Sequence, residues 1–264
     1  MTNAFNRIAA SYDLEFSDSP IGKAQRNRVW HYLKKINLTP QSNILETNAG
    51  TGVDALWLAQ RGLRITVTDV AEQMVLIASQ KLTHAGIANF ESFIWDLNNP
   101  FPGATSGYDL IFTNFGGWNC LDKNAISQLS IQLNSLLKPE GKIVAVVMGR
   151  KCFWERWYFR YKGNHEAKNR RNSPHPISSR LEDGTFINTW YYSPNELAEA
   201  FPQFQITSLN PIGLFIPPSY LNPFFSKKQF FLKFLIGMEK CFSPRFLSNY
   251  ADHYIITLQK KSCL

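Results

Sequence analysis

Paired cysteines, long apolar runs and clustered metal ligands are all missing from this 264-residue sequence. The four cysteines are scattered without a CxxC pair, so we expect reduced thiols and neither a disulfide framework nor a zinc site: Cys120, Cys152, Cys241 and Cys263. No uncharged apolar run approaches the ~18 residues that a membrane span needs. The N-terminal segment is too polar for a secretory signal, and we therefore expect a cytoplasmic protein.

Apolar β-rich runs alternate with helical patterns over the first 150 residues. The predicted strands are 43–47, 64–69, 90–97, 108–115 and 142–149. Apolar strands that alternate with helices predict an α/β fold, with a doubly wound, mostly parallel sheet covered on both faces. Further strands are expected over 185–192, 204–210 and 252–260, and Ser193 followed by Glu196 predicts a helix start.

Positive charge is concentrated in one segment. Residues 150–180 contain nine lysines and arginines but only two acidic residues, Glu155 and Glu166, so they hold most of the net charge of +8. Such dense like charge predicts an anionic partner. We expect Arg156, Arg160, Arg170 and Arg171 to contribute to binding an anionic acceptor.

The turn after the first predicted strand, "NILETNAGTG" (43–52), raises the question of the ligand. The run "GTGVDA" matches a dinucleotide fingerprint, with Asp69 about 20 residues on. However, Glu46 stands just before the turn, where its carboxylate would repel a pyrophosphate. S-adenosylmethionine has no phosphate and carries an ammonium and a sulfonium, for which an anion at a strand tip is favourable.

From "FNRIAASYD" (5–13) to "KIVAVVMG" (142–149), the sequence resembles the class I S-adenosylmethionine-dependent methyltransferases. The first motif stands as "ETNAGTG", with Asn48 in the place of a glycine, and Asn is the non-glycine residue best able to adopt positive φ. The resemblance implies a Rossmann-like methyltransferase fold with four parts. These are an N-terminal helical cap (1–40), a cofactor-binding core (41–150), a substrate cover with late strands (151–245) and a closing strand (246–264).

The resemblance also implies roles for individual residues at the strand tips. Asp69 would bind the ribose hydroxyls, and Asp96 would accept from the adenine amino group beside Leu97. The cofactor site implied in this way comprises Tyr12, Glu46, Asn48, Ala49, Gly50, Gly52, Asp69, Val70, Met74, Asp96, Leu97, Asn114 and Phe115. Substrate-binding positions are expected at Trp118, Asn119, Arg170, Arg171 and Tyr191.

Catalysis is less well marked. A sulfonium is an activated methyl donor, so a base is needed only where the acceptor must lose a proton. His165 and His175, in the basic segment, are the candidate bases. No metal-binding constellation is visible, which disfavours a metal-dependent methyltransferase.

These features predict methyl transfer to a small or medium organic acceptor, with O-methylation favoured. The acceptor is expected to be anionic or held on an acidic carrier protein. Two alternatives remain: an RNA- or tRNA-directed methyltransferase or binding module that uses residues 150–180, and an NAD(P)-dependent dehydrogenase. The sequence does not predict an oligomeric state.

The segment 226–242 carries phenylalanines at helical spacing. Phe230, Phe231 and Phe234, with Leu235, Met238 and Phe242, are expected to form a buried face. A further possibility is recruitment to a lipid surface through this face with Lys227, Lys228 and Lys233.

Overall fold

The computed structural model describes residues 2–103, 107–181 and 183–261, so Cys263 lies outside the described residues. Seven strands form the central sheet: β1 Asn43–Thr47, β2 Arg64–Asp69, β3 Phe90–Ile94, β4 Tyr108–Thr113, β5 Leu137–Met148, β8 Phe204–Ile212 and β9 His253–Lys260. Between β5 and β8 in the chain, β6 Ile177–Arg180 and β7 Phe186–Thr189 form a separate antiparallel hairpin.

The sheet has the strand order β3-β2-β1-β4-β5-β9-β8. The first five strands in this order are parallel, whereas β9 runs antiparallel to both β5 and β8. The predicted mostly parallel sheet is confirmed. Because the chain starts at β1, extends to β3 on one side and resumes at β4 on the other, β1 and β4 flank the switch point where such sheets bind ligands.

Ten α-helices lie in the described part of the chain: α1 Thr2–Tyr12, α2 Pro20–Leu33, α3 Val53–Ala59, α4 Glu72–His84, α5 Lys123–Leu136, α6 Phe153–Tyr161, α7 His165–Asn169, α8 Pro194–Glu199, α9 Asn222–Phe225 and α10 Gln229–Cys241. The predicted start of α8 is confirmed, since Ser193 and Glu196 form a capping box. Within the residues described, no helix is long and apolar enough to cross a membrane.

Both faces of the sheet are covered. Ile44 points to a core shared with α2, α3 and α4, whereas the next residue, Leu45, points to a core shared with α5 and the segment around α8. Successive strand residues face opposite sides, so an apolar strand such as β1 needs a helical layer on each face.

The face that α10 buries differs from the expected one. Leu232, Leu235 and Glu239 point inward, while Phe230 is 88% exposed and Phe234 56% exposed. The predicted burial of the phenylalanine face is therefore wrong. Helical spacing fits both the phenylalanine stripe and the stripe of Leu232, Leu235 and Glu239. Glu239 helps to fix the second stripe inward, because its carboxylate accepts from the backbone N–H groups of Gly213, Phe215 and Ile216.

Candidate active site at the strand tips

A cavity of about 400 Å³ lies at the carboxyl ends of β1, β2, β4 and β5. The sheet contributes one wall through the loops that follow these strands, and α1 closes it with Phe5, Ile8 and Tyr12. The opposite wall comes from the segment after Arg150, including Arg170, Arg171 and Tyr191. The cavity therefore lies at the switch point of the sheet, between core and cover.

The loop after β1 approaches the cavity with its backbone. Asn48 and Gly50 both have φ of 55°, and Gly52 has φ of 75°. The positive φ expected at Asn48 is confirmed. A Cβ on Gly52 would lie 2.6 Å from the Cβ of Ala78, so this glycine allows α4 to pack directly against the loop. The Oδ1 atom of Asn48 is buried without a hydrogen-bond partner among the described residues.

Asp69 joins the first two strand tips. Its Oδ2 accepts from the backbone N–H of Gly50 and its Oδ1 from that of Ala71, both at 2.9 Å. Burial raises the pKa of Asp69, although these backbone hydrogen bonds partly offset the rise. The side chain lines the cavity but is only 7% exposed, so it is less accessible than a solvent-exposed strand tip would be.

Glu46 stands just before the turn, as expected, but it is buried. It belongs to β1, is 1% exposed and is not among the residues that line the cavity. Burial, and then the nearby Asp54, raise its pKa well above the usual range, while Arg26 acts in the opposite direction. We call Arg26, Glu46 and Asp54 the strand-tip cluster.

Asp54 is the centre of the strand-tip cluster. It accepts from Trp30 Nε1 at 2.6 Å and from Asn114 Nδ2 at 2.9 Å, and it lies 3.8 Å from Arg26 Nε. Asn114 in turn accepts from the backbone of Phe115, whose φ is 46°. The cluster thereby fixes the fourth-strand loop that lines the cavity, and sequence analysis gave no sign of this role for Asp54.

The cationic wall of the cover is paired internally. Glu155, only 1% exposed, accepts from Arg170 Nε at 2.6 Å and from Arg171 Nε at 2.9 Å. Arg171 also donates to Asp252 Oδ1 at 2.8 Å. We call Glu155, Arg171 and Asp252 the cover cluster. Arg170 and Arg171 are therefore paired with carboxylates of the chain itself, and one of these, Asp252, lies outside the basic segment.

His253 is a cavity residue that the sequence analysis did not select. Its pairing with Met148, across β9 and β5, places it at the tip of β5. Its Nδ1 lies 3.2 Å from Asp252 Oδ2, off the line of a hydrogen bond, and Phe115 contacts the ring edge-on at 5.6 Å. The available signal was the predicted closing strand, which begins with Asp252 and His253.

The structure brings most of the expected residues together, but not all. The cavity wall contains these predicted residues: Tyr12, Asn48, Gly50, Asp69, Val70, Met74, Asn114, Phe115, Arg170, Arg171 and Tyr191. These predicted residues do not line the cavity: Glu46, Ala49, Gly52, Asp96, Leu97, Trp118, Asn119, His165 and His175. Arg156 and Arg160, expected to bind the acceptor, lie on the exposed side of α6 and are also absent from the wall.

Several of the residues outside the cavity wall have other contacts or positions. Asp96 accepts from the backbone and side chain of Asn98 within its own turn. Trp118 is fully buried against Phe201, with ring centroids 5.4 Å apart, and Asn119 holds the backbone of Met148 from both sides of its amide. The histidines His165 and His175 are exposed on the cover.

Residues 44–141 match the sequence profile of a family described as "Methyltransferase domain". The chain is 24% identical over 231 residues to the non-reducing polyketide synthase adrD of Penicillium roqueforti, covering 80% of this chain and 9% of that protein. It is 26% identical over 152 residues to the ubiquinone/menaquinone biosynthesis C-methyltransferase UbiE of Shewanella sp. strain W3-18-1, covering 55% of this chain and 58% of that protein. The chain thus spans about a tenth of the synthase and just over half of the quinone enzyme.

The solved structure of a DhpI–SAH complex shares the fold, with a TM-score of 0.63 at 16% identity, over 99% of this chain and 96% of that one. Over residues 44–141 the chain is thus similar to methyltransferases, and the described chain has the fold of one. The solved structures of this fold include complexes with SAH and SAM, and the cavity of this chain has features that suit such a ligand. Asp69 supplies a carboxylate, and Asn48 has a buried acceptor oxygen that no other described residue contacts by a hydrogen bond.

Proposed function

We propose that this methyltransferase acts on a small or medium, largely apolar organic acceptor with an acidic enol or phenol group. One observation carries the proposal: the cavity has the strand-tip loops on one side and the cover on the other, and His253, at the tip of β5, lines the same cavity. A methyl acceptor placed against the cover would face the cofactor loops in a cavity that also contains a candidate base. Methyl transfer to an O–H or C–H acceptor needs an aligned donor and acceptor and a base that can take the proton.

The cofactor half of the cavity is proposed from the residues that line it. Asp69 would accept from the ribose hydroxyls with the lone pairs that its two backbone donors leave free. Asn48 and Gly50 would contact the amino-acid part through side-chain and backbone atoms. Tyr12 would close the site, since its ring lies next to Gly50, at 3.8 Å from the position of an added Cβ. Val70, Met74, Asn114 and Phe115 would complete the pocket.

His253 is proposed as the general base. S-adenosylmethionine supplies a methyl group already activated on a sulfonium, so the remaining requirements are alignment and removal of one proton. The acceptor O–H or C–H would pass its proton to a ring nitrogen of His253. The resulting anion would form the new bond to methyl as the methyl–sulfur bond breaks, with S-adenosylhomocysteine as the leaving group. Asp252, 3.2 Å from Nδ1, would stabilise the imidazolium, and Arg171 would hold Asp252 in place.

The methylated atom is proposed to be oxygen or carbon of one ambident anion. Oxygen was favoured by the sequence, whereas a similar protein is named a C-methyltransferase of quinone biosynthesis. An enolate or phenolate can be methylated at either atom, and both routes need the same base. The similarities reported above do not favour the RNA-directed or the nicotinamide-dependent alternative.

Arg180 is the proposed binding partner of an anionic group on the acceptor. Arg170 and Arg171 are paired with carboxylates, whereas Arg180 lines the cavity and has no ion pair among the residues described. Arg180→Ser should raise the Michaelis constant for an anionic acceptor, and the effect should shrink near 1 M salt, where the Debye length is about 3 Å. The control is Arg64→Ser, because Arg64 begins β2 and lies at the end of that strand away from the cavity.

The decisive experiment has two parts. Calorimetric titration should show binding of S-adenosylmethionine and S-adenosylhomocysteine but negligible binding of NAD(H) and NADP(H), and comparable dinucleotide binding would contradict the cofactor assignment. Turnover of a panel of phenols, quinols and β-dicarbonyl compounds should then fall about 10²- to 10⁴-fold in His253→Asn. His175→Asn, which replaces an exposed histidine of the cover, should retain parental turnover. Equal turnover in both variants would remove His253 from catalysis.

A further inference from the structure

Six large aromatic side chains project from α6, α9 and α10 into solvent. They are Trp157 (57% exposed), Tyr161 (80%), Phe224 (52%), Phe230 (88%), Phe231 (45%) and Phe234 (56%). Single exposed aromatics are common, but a run of them over neighbouring helices is unusual for a surface that meets only water. Together with the cations described next, we call this surface the aromatic-basic face.

The exposed charges interleaved with these rings are all positive. They belong to Arg156, Arg160, Lys227, Lys228 and Lys233. The only acidic residues on α6 and α10 are Glu155 and Glu239, which are at most 1% exposed. Glu155 is paired with arginines, and Glu239 accepts from backbone N–H groups. The aromatic-basic face is therefore uniformly cationic at its surface.

A chain of ring contacts makes the face continuous between the two long helices. On α6, Tyr161 stacks on Trp157, which contacts Trp154 edge-on. Trp154 then meets Phe225 of α9 at 6.0 Å, and Phe225 stacks on Phe231 of α10 at 5.9 Å. The aromatic-basic face is thus one surface fixed by buried rings, not two unrelated patches.

We propose that the aromatic-basic face docks on an anionic lipid surface. Phenylalanine, tryptophan and tyrosine rings enter the boundary between headgroups and acyl chains, while lysine and arginine bind the anionic headgroups. A second copy of the chain is a poor occupant, because a two-fold symmetric contact would bring the five cations of one face against the same five of the other. The proposal also gives Arg156 and Arg160 a role outside the cavity.

The aromatic-basic face also adjoins the cavity. Tyr158 of α6 contacts Tyr220, with ring centroids 6.1 Å apart, and the segment 218–220 lines the cavity. Docking would therefore hold this wall of the cavity near the membrane. The docking proposal does not rest on the proposed function, because binding to vesicles requires neither cofactor nor acceptor.

Flotation with vesicles tests the proposal on the full chain. Vesicles of phosphatidylcholine with added phosphatidylglycerol should carry the protein to the top of a density gradient, and phosphatidylcholine alone should carry much less. Lys227→Gln/Lys228→Gln/Lys233→Gln should lose roughly fivefold in partition for each charge. Phe230→Ser/Phe234→Ser should lose about tenfold or more. High salt should weaken the parent's binding.

Matched controls come from other exposed positions. Ile131→Ser on α5 (56% exposed) and Lys34→Gln after α2 should float as the parent does. Parental thermal unfolding and parental calorimetric binding of S-adenosylhomocysteine would show that each variant is folded. Absence of flotation, or equal flotation of all variants, would overturn the proposal. Capture of an acidic carrier protein without vesicle binding, or a dimer broken by Phe230→Ser, would also overturn it.

Discussion

The two buried ion clusters, one beneath the strand tips and one in the cover, differ in how completely their polar atoms are paired. The Phe115 ring lies under the Arg26 guanidinium at 5.3 Å and against His253 at 5.6 Å. In the cover cluster, Arg171 donates to Glu155, to Asp252 and to the Asp252 carbonyl. In the strand-tip cluster, Arg26 Nε and Glu46 Oε2 are buried without a hydrogen-bond partner among the described residues.

This difference distinguishes charged groups that stabilise the fold from charged groups that could bind a ligand. Two carboxylates in the cover cluster neutralise Arg170 and Arg171, so the cavity meets little net charge there. In the strand-tip cluster, one arginine faces two carboxyl groups, Glu46 and Asp54, with Asp69 close enough to raise the pKa of Glu46 further. A cationic ligand on that side would offset the effect of burial, which raises the pKa values of Glu46 and Asp69, and the repulsion from other carboxyl groups that raises the pKa of Glu46 further.

The largest effect is expected from breaking the cover cluster. In Asp252→Asn, Arg171 would keep Glu155 but lose its second carboxylate in a buried site, which should lower the free energy of unfolding by about 3–5 kcal/mol. Urea denaturation measures this change. Asp18→Asn removes the partner of Lys23 in an exposed pair, in which both side chains are more than half exposed, and should cost about 0–1 kcal/mol. Equal losses would mean that the cover cluster is no better paired than the surface.

On the strand-tip side, the expected loss is in ligand affinity. Asp69→Ala should weaken S-adenosylhomocysteine binding by about 2–4 kcal/mol, because two charge-assisted hydrogen bonds to the ribose would be lost. Calorimetry gives the change in affinity. The control is Asp122→Ala at the N-cap of α5, which does not line the cavity and should leave affinity unchanged. Unchanged affinity in Asp69→Ala, with a lower melting temperature, would assign Asp69 to holding Gly50 and Ala71 alone.

The predictable part of the fold and site is local. A β-branched run followed by "NAGTG" predicted the strand, the turn and the positive φ of Asn48, and strand order placed Asp69 beside that turn. Long-range pairing was not predictable in this way. Asp252 lies 81 residues beyond Arg171, and only the antiparallel register of β9 brings His253 to the tip of β5. On α10, helical spacing could not decide which of two stripes turns inward.

The ion pair between Glu196 and Arg150 also belongs to the cover, and its contribution to stability should depend on pH. Burial favours a raised pKa for Glu196, but hydrogen bonds from Arg150 and Ser193 outweigh it and lower the pKa from 4.5 to about 2. A lowered carboxyl pKa stabilises the fold above pH 4.5, and this contribution is lost as pH falls towards 2. Glu196→Gln should therefore cost about 1–2 kcal/mol at pH 7 and clearly less at pH 3, by urea denaturation. A cost independent of pH would assign the effect to helix capping.

The smallest expected effect concerns the unpaired oxygen of Asn48. Glycine adopts φ near 55° without strain, so Asn48→Gly should change the free energy of unfolding by about 1 kcal/mol or less. If the buried Oδ1 is an acceptor for the cofactor, the same variant should weaken S-adenosylhomocysteine binding about two- to tenfold, the value of one neutral hydrogen bond. Gly62→Ala, in a turn away from the cavity with φ of 82°, is the opposite control: it should lose stability and keep affinity. Parental affinity in Asn48→Gly would show that the strand-tip side holds its ligand without this oxygen, and the contrast between the two sides would then rest on charge alone.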